Sequence, residues 1–253
     1  MGTGAITQYV DVAQIVLYMF WAFFAGLIYY LLRENHREGY PMDNGRAEGG
    51  PVQVGWPVPE PKVFKLANGR EVLAPDFNRV DGSYSAQPTH RFLGAPLEPV
   101  GDALLAGVGP GAWAARADEP DLYHGTHIKI VPLRIAADHG VMSPDVDPRG
   151  LPVYGADKQL AGTVKDLWVD RAEMMFRYLE VDLKSGGSVL LPMTFSRIKS
   201  SGVFVGAVLA SQFANVPKTK SMEQITLLEE EKITAYYGAG TLYATPERQE
   251  PLF

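Results

Sequence analysis

The chain contains no cysteine, which excludes a disulfide framework, a thiolate zinc site, an iron–sulfur cluster and a cysteine nucleophile, and removes any need for an oxidising compartment. Histidine is scarce: five residues, at 36, 90, 124, 127 and 139, bound any haem or imidazole–metal chemistry. Lysine and arginine are missing from the first 32 residues, and residues 12–32 carry no charge of either sign. Excess positive charge is lacking as well. A net charge of -6 argues against a nucleic-acid partner, because such proteins carry a basic field that neutralises phosphates. What is present suits a folding chain: 253 residues, 46% hydrophobic and 21% charged, enough for one or two domains and too apolar for wholesale disorder.

The uncharged stretch 12–32 reads VAQIVLYMFWAFFAGLIYYLL, with Gln14 as its one strongly polar member. As a helix it would extend about 31 Å, which covers a hydrocarbon core of about 30 Å, so a single transmembrane helix is predicted. A secretory signal would need a basic leading region and a shorter apolar core, whereas residues 1–11 hold only Asp11 as a charge. Every basic residue follows the span, beginning with Arg33 and Arg37. The positive-inside rule therefore predicts an external amino terminus and a cytoplasmic remainder. Ala22 and Gly26 share a helix face and would let a neighbouring helix approach. With no histidine and no ionisable residue inside it, the span offers no pigment ligand and no ion path; it anchors.

Residues 39–110 are rich in proline and glycine and keep neither helical nor strand periodicity for long, which predicts extended chain with short strands lying on another surface. A flexible linker is the alternative, opposed by Trp56, Phe64, Phe77, Tyr84 and Phe92, more aromatics than a solvated linker carries. From about 127 onward short strands alternate with turns: 127–133, 162–170, then Arg177, Leu179, Val181 and Leu183 on one face with Tyr178, Glu180 and Asp182 on the other, then 188–193 and 203–209. This spacing predicts a small antiparallel barrel or sandwich. Thr226 and Glu229 form a capping-box pattern, so a helix is predicted from there to about Tyr237 with Gly238 as its carboxyl cap. The acidic run 229–231 then reads as a helix start rather than a ligand cluster. Neither Gly107-x-Gly109-x-Gly111 nor Ser196-x-x-Lys199 has the context of a dinucleotide loop or a nucleophile motif, and both are read as structural turns or strand ends.

Several blocks occur in order along nearly the whole chain: RENHREGYP (33–41), PKVF (61–64), VGPGAW (108–113), KIVPLR (129–134), DPRGLPV (147–153), DLWVDRAEMMFRYLEV (166–181) and ITLLEEEKITAYY (225–237). Together they closely resemble the H subunit of the photosynthetic reaction centre of purple bacteria, whose central part is a PRC-barrel. The resemblance implies one amino-terminal transmembrane α-helix and a mainly β cytoplasmic domain with a small antiparallel β-barrel and a short carboxyl-terminal helix. The expected division is a periplasmic stretch 1–11, the span 12–32, a membrane-surface segment 33–115 and a PRC-barrel-like domain 116–253. It further implies a non-catalytic, pigment-free subunit of the bacterial inner (intracytoplasmic) membrane that caps subunits L and M, stabilises the quinone region and conducts protons to the secondary quinone. Bacteriochlorophyll, bacteriopheophytin, quinones and non-haem iron would then belong to those partners, with antenna and cytochrome subunits and membrane lipids as further neighbours.

Delivering protons to a covered quinone needs carboxylates and imidazoles spaced for hydrogen-bonded transfer. The resemblance places such a route at Asp170, Glu173 and Arg177; their spacing alone reads instead as a surface salt-bridge set at a strand–turn–strand corner. His124 and His127, flanked by Asp118, Asp121 and Lys129, are expected proton-uptake residues at the cytoplasmic entrance. The family alternates Asp-x-His-x-His there, whereas this chain reads Tyr123-His124-Gly125-Thr126-His127, so only His127 falls on a matching position and no metal site is assigned. Tyr30, Arg33 and Tyr40 are expected to contact an anionic lipid headgroup. The competing class is an independent membrane-anchored enzyme or metal-binding protein built on the two histidines and nearby acids.

Overall fold

Asp11 starts the first helix, its side chain accepting a hydrogen bond from the Gln14 amide at 2.7 Å. This computed structural model describes residues 4–7, 10–38, 59–67, 69–76, 84–92 and 95–249. Helix α1 spans Val12–Arg37, and every residue from 12 to 32 is exposed, an apolar cylinder that water would not tolerate. Among the described residues it is the helix long and apolar enough to cross a bilayer. Arg37 occupies its last turn, where a cation complements the helix dipole. Strands β1 (Lys62–Lys65) and β2 (Glu71–Ala74) then pair as an antiparallel hairpin. Arg37 donates to the carbonyl of Glu60, and Lys62 Nζ lies 2.5 Å from Glu34 Oε2, so the lead into this hairpin is fastened to the end of α1. These elements belong to the first of two units, Met1–Val80 and Asp81–Phe253.

The second unit opens with two small hairpins. Strands β3 (Ala86–Pro88) and β4 (Leu97–Pro99) make one, and β5 (Leu122–Tyr123) and β6 (His127–Ile128) make the other. The main sheet contains β7 (Ile130–Pro132), β8 (Pro152–Tyr154), β9 (Leu160–Asp170), β10 (Met175–Leu183), β11 (Ser188–Pro192), β12 (Ser196–Lys199) and β13 (Gly202–Val205). Its order is β11-β10-β9-β8-β13-β12, with β7 also paired to β9. Its pairs are antiparallel except β8 with β13, which run parallel. The two-face pattern expected for β10 holds from Tyr178 to Leu183, and both faces are covered, so Leu179, Glu180 and Val181 are all completely buried. Arg177 departs from it as the extra residue of a bulge between Phe176 and Tyr178, whereas the shift between Glu180 and Val181 falls on β9 at Lys165.

Helix α2 (Leu227–Tyr243) carries the expected capping box: the Thr226 hydroxyl accepts from the Glu229 amide at 3.2 Å, and the Glu229 carboxylate accepts from the Thr226 amide at 2.9 Å. Its far end differs from the expectation. Gly238 does not cap the helix, which continues to Tyr243 with Ala244 as cap. A Cβ on Gly238 would stand 2.5 Å from the Pro110 carbonyl oxygen, and one on Gly240 would stand 2.6 Å from that of Ala207. These glycines let other backbone lie directly on the helix. The glycine-rich stretch 107–111 is the other half of the contact: Gly109–Gly111 forms a single 3-10 turn, and a Cβ on Gly111 would strike that of Ala239 at 2.8 Å. Helix α2 contributes Ile233, Tyr236 and Tyr237 to a core completed by Trp168, Phe213, Leu167, Leu179 and Leu191. Each large apolar side chain in it contributes about 1.5–3 kcal/mol of transfer free energy.

Candidate functional site

Asp170 ends β9, and its side chain is completely buried. One oxygen, Oδ1, accepts the amides of Ala172 and Glu173, both at 3.0 Å, which closes the β9–β10 turn around the carboxylate. The other, Oδ2, accepts from Arg177 Nε at 3.2 Å and lies 3.6 Å from Lys129 Nζ. Arg177 also donates through Nη2 to Glu173 Oε2 at 2.8 Å. Lys129 completes the ring of charges at 3.5 Å from Glu173 Oε1 and 3.4 Å from Asp121 Oδ2. Five of the expected residues, Asp121, Lys129, Asp170, Glu173 and Arg177, are thus brought into one network of three acids and two bases. Burial alone would depress the Lys129 ammonium, but the carboxylates of Asp170, Asp121 and Glu173 outweigh it and leave its pKa raised. The Arg177 guanidinium is raised in the same way, against burial, by Asp170 and Glu173.

His124 and His127 sit on the neighbouring β5–β6 hairpin, both exposed, with His124 in the left-handed region at φ 50° beside Gly125 at 75°. Their rings lie 5.2 and 5.4 Å from that of Tyr123. Tyr123 in turn lies under the Arg171 guanidinium, 5.2 Å from its ring centre, and Arg171 donates from its backbone to the Lys129 carbonyl at 2.9 Å. The histidines therefore adjoin the carboxylate network through Tyr123 and Arg171. Asp118, by contrast, is turned to the start of α2: it accepts from Thr226 Oγ1 at 2.9 Å and pairs with Lys220. The Lys220 ammonium first, then the Thr226 hydroxyl, holds its carboxyl below the usual range. No cluster of three or more metal-ligating side chains occurs among the described residues.

A cleft of about 560 Å³ opens beside the network, lined by Asp121, Lys129, Arg177, Tyr178, Glu230 and Glu231 among others. Tyr178 and Glu230 are members that the sequence reading missed. Tyr178 donates its hydroxyl to Glu230 Oε2 at 3.0 Å, and burial pushes the Glu230 carboxyl up despite that bond and the nearby Arg177 charge. The signal lay in the acidic run 229–231, of which a capping box employs only Glu229. Glu231 has its own partners, the Ala114 amide at 3.3 Å and Arg116 at 3.5 Å. A second buried group was also missed. Glu180 receives Arg134 Nη1 at 2.7 Å, Lys165 Nζ at 3.0 Å and the Trp168 indole N–H at 3.1 Å, while Arg134 also binds Asp166 at 3.0 Å. It lies inside the sheet and ties β9 and β10 to the segment after β7.

Of the three expected lipid-contact residues, Tyr30 is exposed on α1, and Arg33 stands 5.9 Å from the Tyr29 ring centre. Tyr40 lies outside the described residues.

Two family models match the chain. Photosynthetic reaction centre, H-chain N-terminal region, covers residues 4–135, and PRC-barrel domain covers residues 141–208. The second match coincides with most of the main sheet, from β8 through β13. The first spans more than half of the sequence and includes the apolar helix. The chain therefore belongs to the photosynthetic reaction centre H-chain family, as a membrane-anchored subunit that associates with other subunits of the centre.

Proposed function

We propose that this subunit binds no pigment and performs no turnover of its own, caps the cytoplasmic face of subunits L and M, and conducts protons toward the secondary quinone. The observation that carries the reading is the continuous contact from Asp121 through Lys129 to Asp170, Glu173 and Arg177, in which Asp170 is fully buried while Asp121, Lys129 and Arg177 line a cleft. In such a network a proton gained by one carboxylate changes the field at the next, so charge moves without a free ion crossing an apolar layer. Exposed His124 and His127, on the hairpin beside the network, serve as the collecting end. Orientation follows the distribution of basic residues: amino terminus periplasmic, remainder cytoplasmic. Tyr30, Arg33 and Tyr40 hold an anionic headgroup where the helix leaves the bilayer.

Asp170→Asn and Glu173→Gln, studied in the assembled centre by flash spectroscopy, are expected to slow the proton-coupled second electron transfer to the quinone by about tenfold or more while leaving primary charge separation unchanged. An unaltered second transfer in both variants would remove the route from these residues.

A further inference from the structure

The hairpin β1–β2 has no buried side at all. Val63 stands opposite Leu73, and Phe64 opposite Val72, so one apolar pair projects from each face of the ribbon. These four side chains are between 43% and 53% exposed, and Leu66 beside them is 42% exposed. In water a two-stranded ribbon with apolar pairs on both faces would be unstable, so something covers both. Its depth is set by α1. Glu34, whose carboxylate holds Lys62, lies about 3 Å past Leu32 along the helix, and Arg37, which holds the Glu60 carbonyl, lies about 8 Å past it. The polar headgroup layer is about 5–8 Å thick on each side of the bilayer, so the ribbon begins within that layer.

We propose that β1–β2 is an interfacial hairpin, immersed in the headgroup and upper acyl region of the leaflet from which α1 emerges. The inference rests on the reading of α1 as a membrane span. A flat protein wall would cover one apolar pair and leave the other in water, whereas a fluid layer closes around both faces. The ribbon's charged side chains lie apart from its apolar pairs, with Lys62 held by Glu34 and Lys65 3.6 Å from Glu71, which suits them to a polar headgroup layer. Lys65, 81% exposed, extends beyond the apolar pairs as a side chain that can reach phosphate.

Because the chain has no cysteine, single replacements give unique labels on it. Phe64→Cys and Leu73→Cys sample the two faces, Leu27→Cys samples the span and Lys158→Cys an exposed turn. Each is labelled with an environment-sensitive fluorophore in the full assembled centre in lipid nanodiscs, and signal from the unsubstituted assembly is subtracted. Lipids brominated near the headgroup end are expected to lower emission about twofold at both 64 and 73 and to leave 158 unaffected, with iodide acting in the opposite order. Iodide quenching at 64 or 73 would place that face in water and overturn the proposal. Protection from both quenchers would mean that protein walls enclose the ribbon, which overturns it equally. If lipid quenching occurs at 27 and not at 64 or 73, the hairpin proposal alone fails; if deeply brominated lipids leave 27 untouched, the spanning helix fails with it.

Discussion

Glu180 and Glu230 are treated in opposite ways by one fold. Burial would raise Glu180, but hydrogen bonds from Arg134, Lys165 and Trp168 overcome it and hold its carboxyl below the usual range. Its contribution to stability is therefore present above the unfolded carboxylate value, about 4.3, and is lost as pH falls through the lower folded value. Burial dominates at Glu230, whose carboxyl is raised. There the contribution is complete below the unfolded value and lost as pH rises through the folded one, so the ionised group works against folding at neutral pH. Glu230→Gln keeps an acceptor for the Tyr178 hydroxyl and is expected to raise the denaturation midpoint at about pH 7 while changing it little at about pH 4. Urea titrations at the two pH values check this. Neither behaviour was legible in the sequence, because an acid in an alternating strand and an acid in a helix's first turn both look solvated until the covering elements are known.

At the scale of elements, what could be read locally was read well and what depends on a distant neighbour was not. The start of α2 is a four-residue device, Thr226 to Glu229, complete in itself. Its end was misplaced because Gly238 resembles a cap to any local reading, and only the packing of Pro110 explains a glycine inside the helix. The parallel pairing of β8 with β13 was hidden for the same reason, since the two strands lie about fifty residues apart. Alanine in an exposed helix site gains about 1 kcal/mol over glycine, but Gly240→Ala would thrust a methyl against Val208 and the Ala207 carbonyl. A net loss of about 1–3 kcal/mol is expected in thermal or urea denaturation. A gain would show that the interface yields easily.

For the whole molecule, the anchor was the most legible feature because it is defined by an absence of charge over a single stretch, with no partner needed to interpret it. The charge network was legible only as spacing: Asp170, Glu173 and Arg177 could be grouped by the turn between two strands, whereas Lys129 and Asp121 join through tertiary contact. Orientation can be checked directly. Trypsin added to spheroplasts, whose periplasmic face is open, is expected to spare the second unit, and trypsin added to inside-out vesicles to cut at exposed sites such as Lys158 and Lys184; cleavage in spheroplasts would reverse the assigned sidedness. The lacing of α2 to earlier chain bears on biogenesis. Leu227 and Leu228 donate their amides to Glu119 and Ala117, and the Ala114 amide binds Glu231. During translation at about 5–20 residues per second, that early strip waits on the order of ten seconds for its helix to leave the ribosome. The hydrophobic segment has emerged long before then, so insertion into lipid precedes completion of the domain, and the nascent chain is tethered to its destination while still half-made.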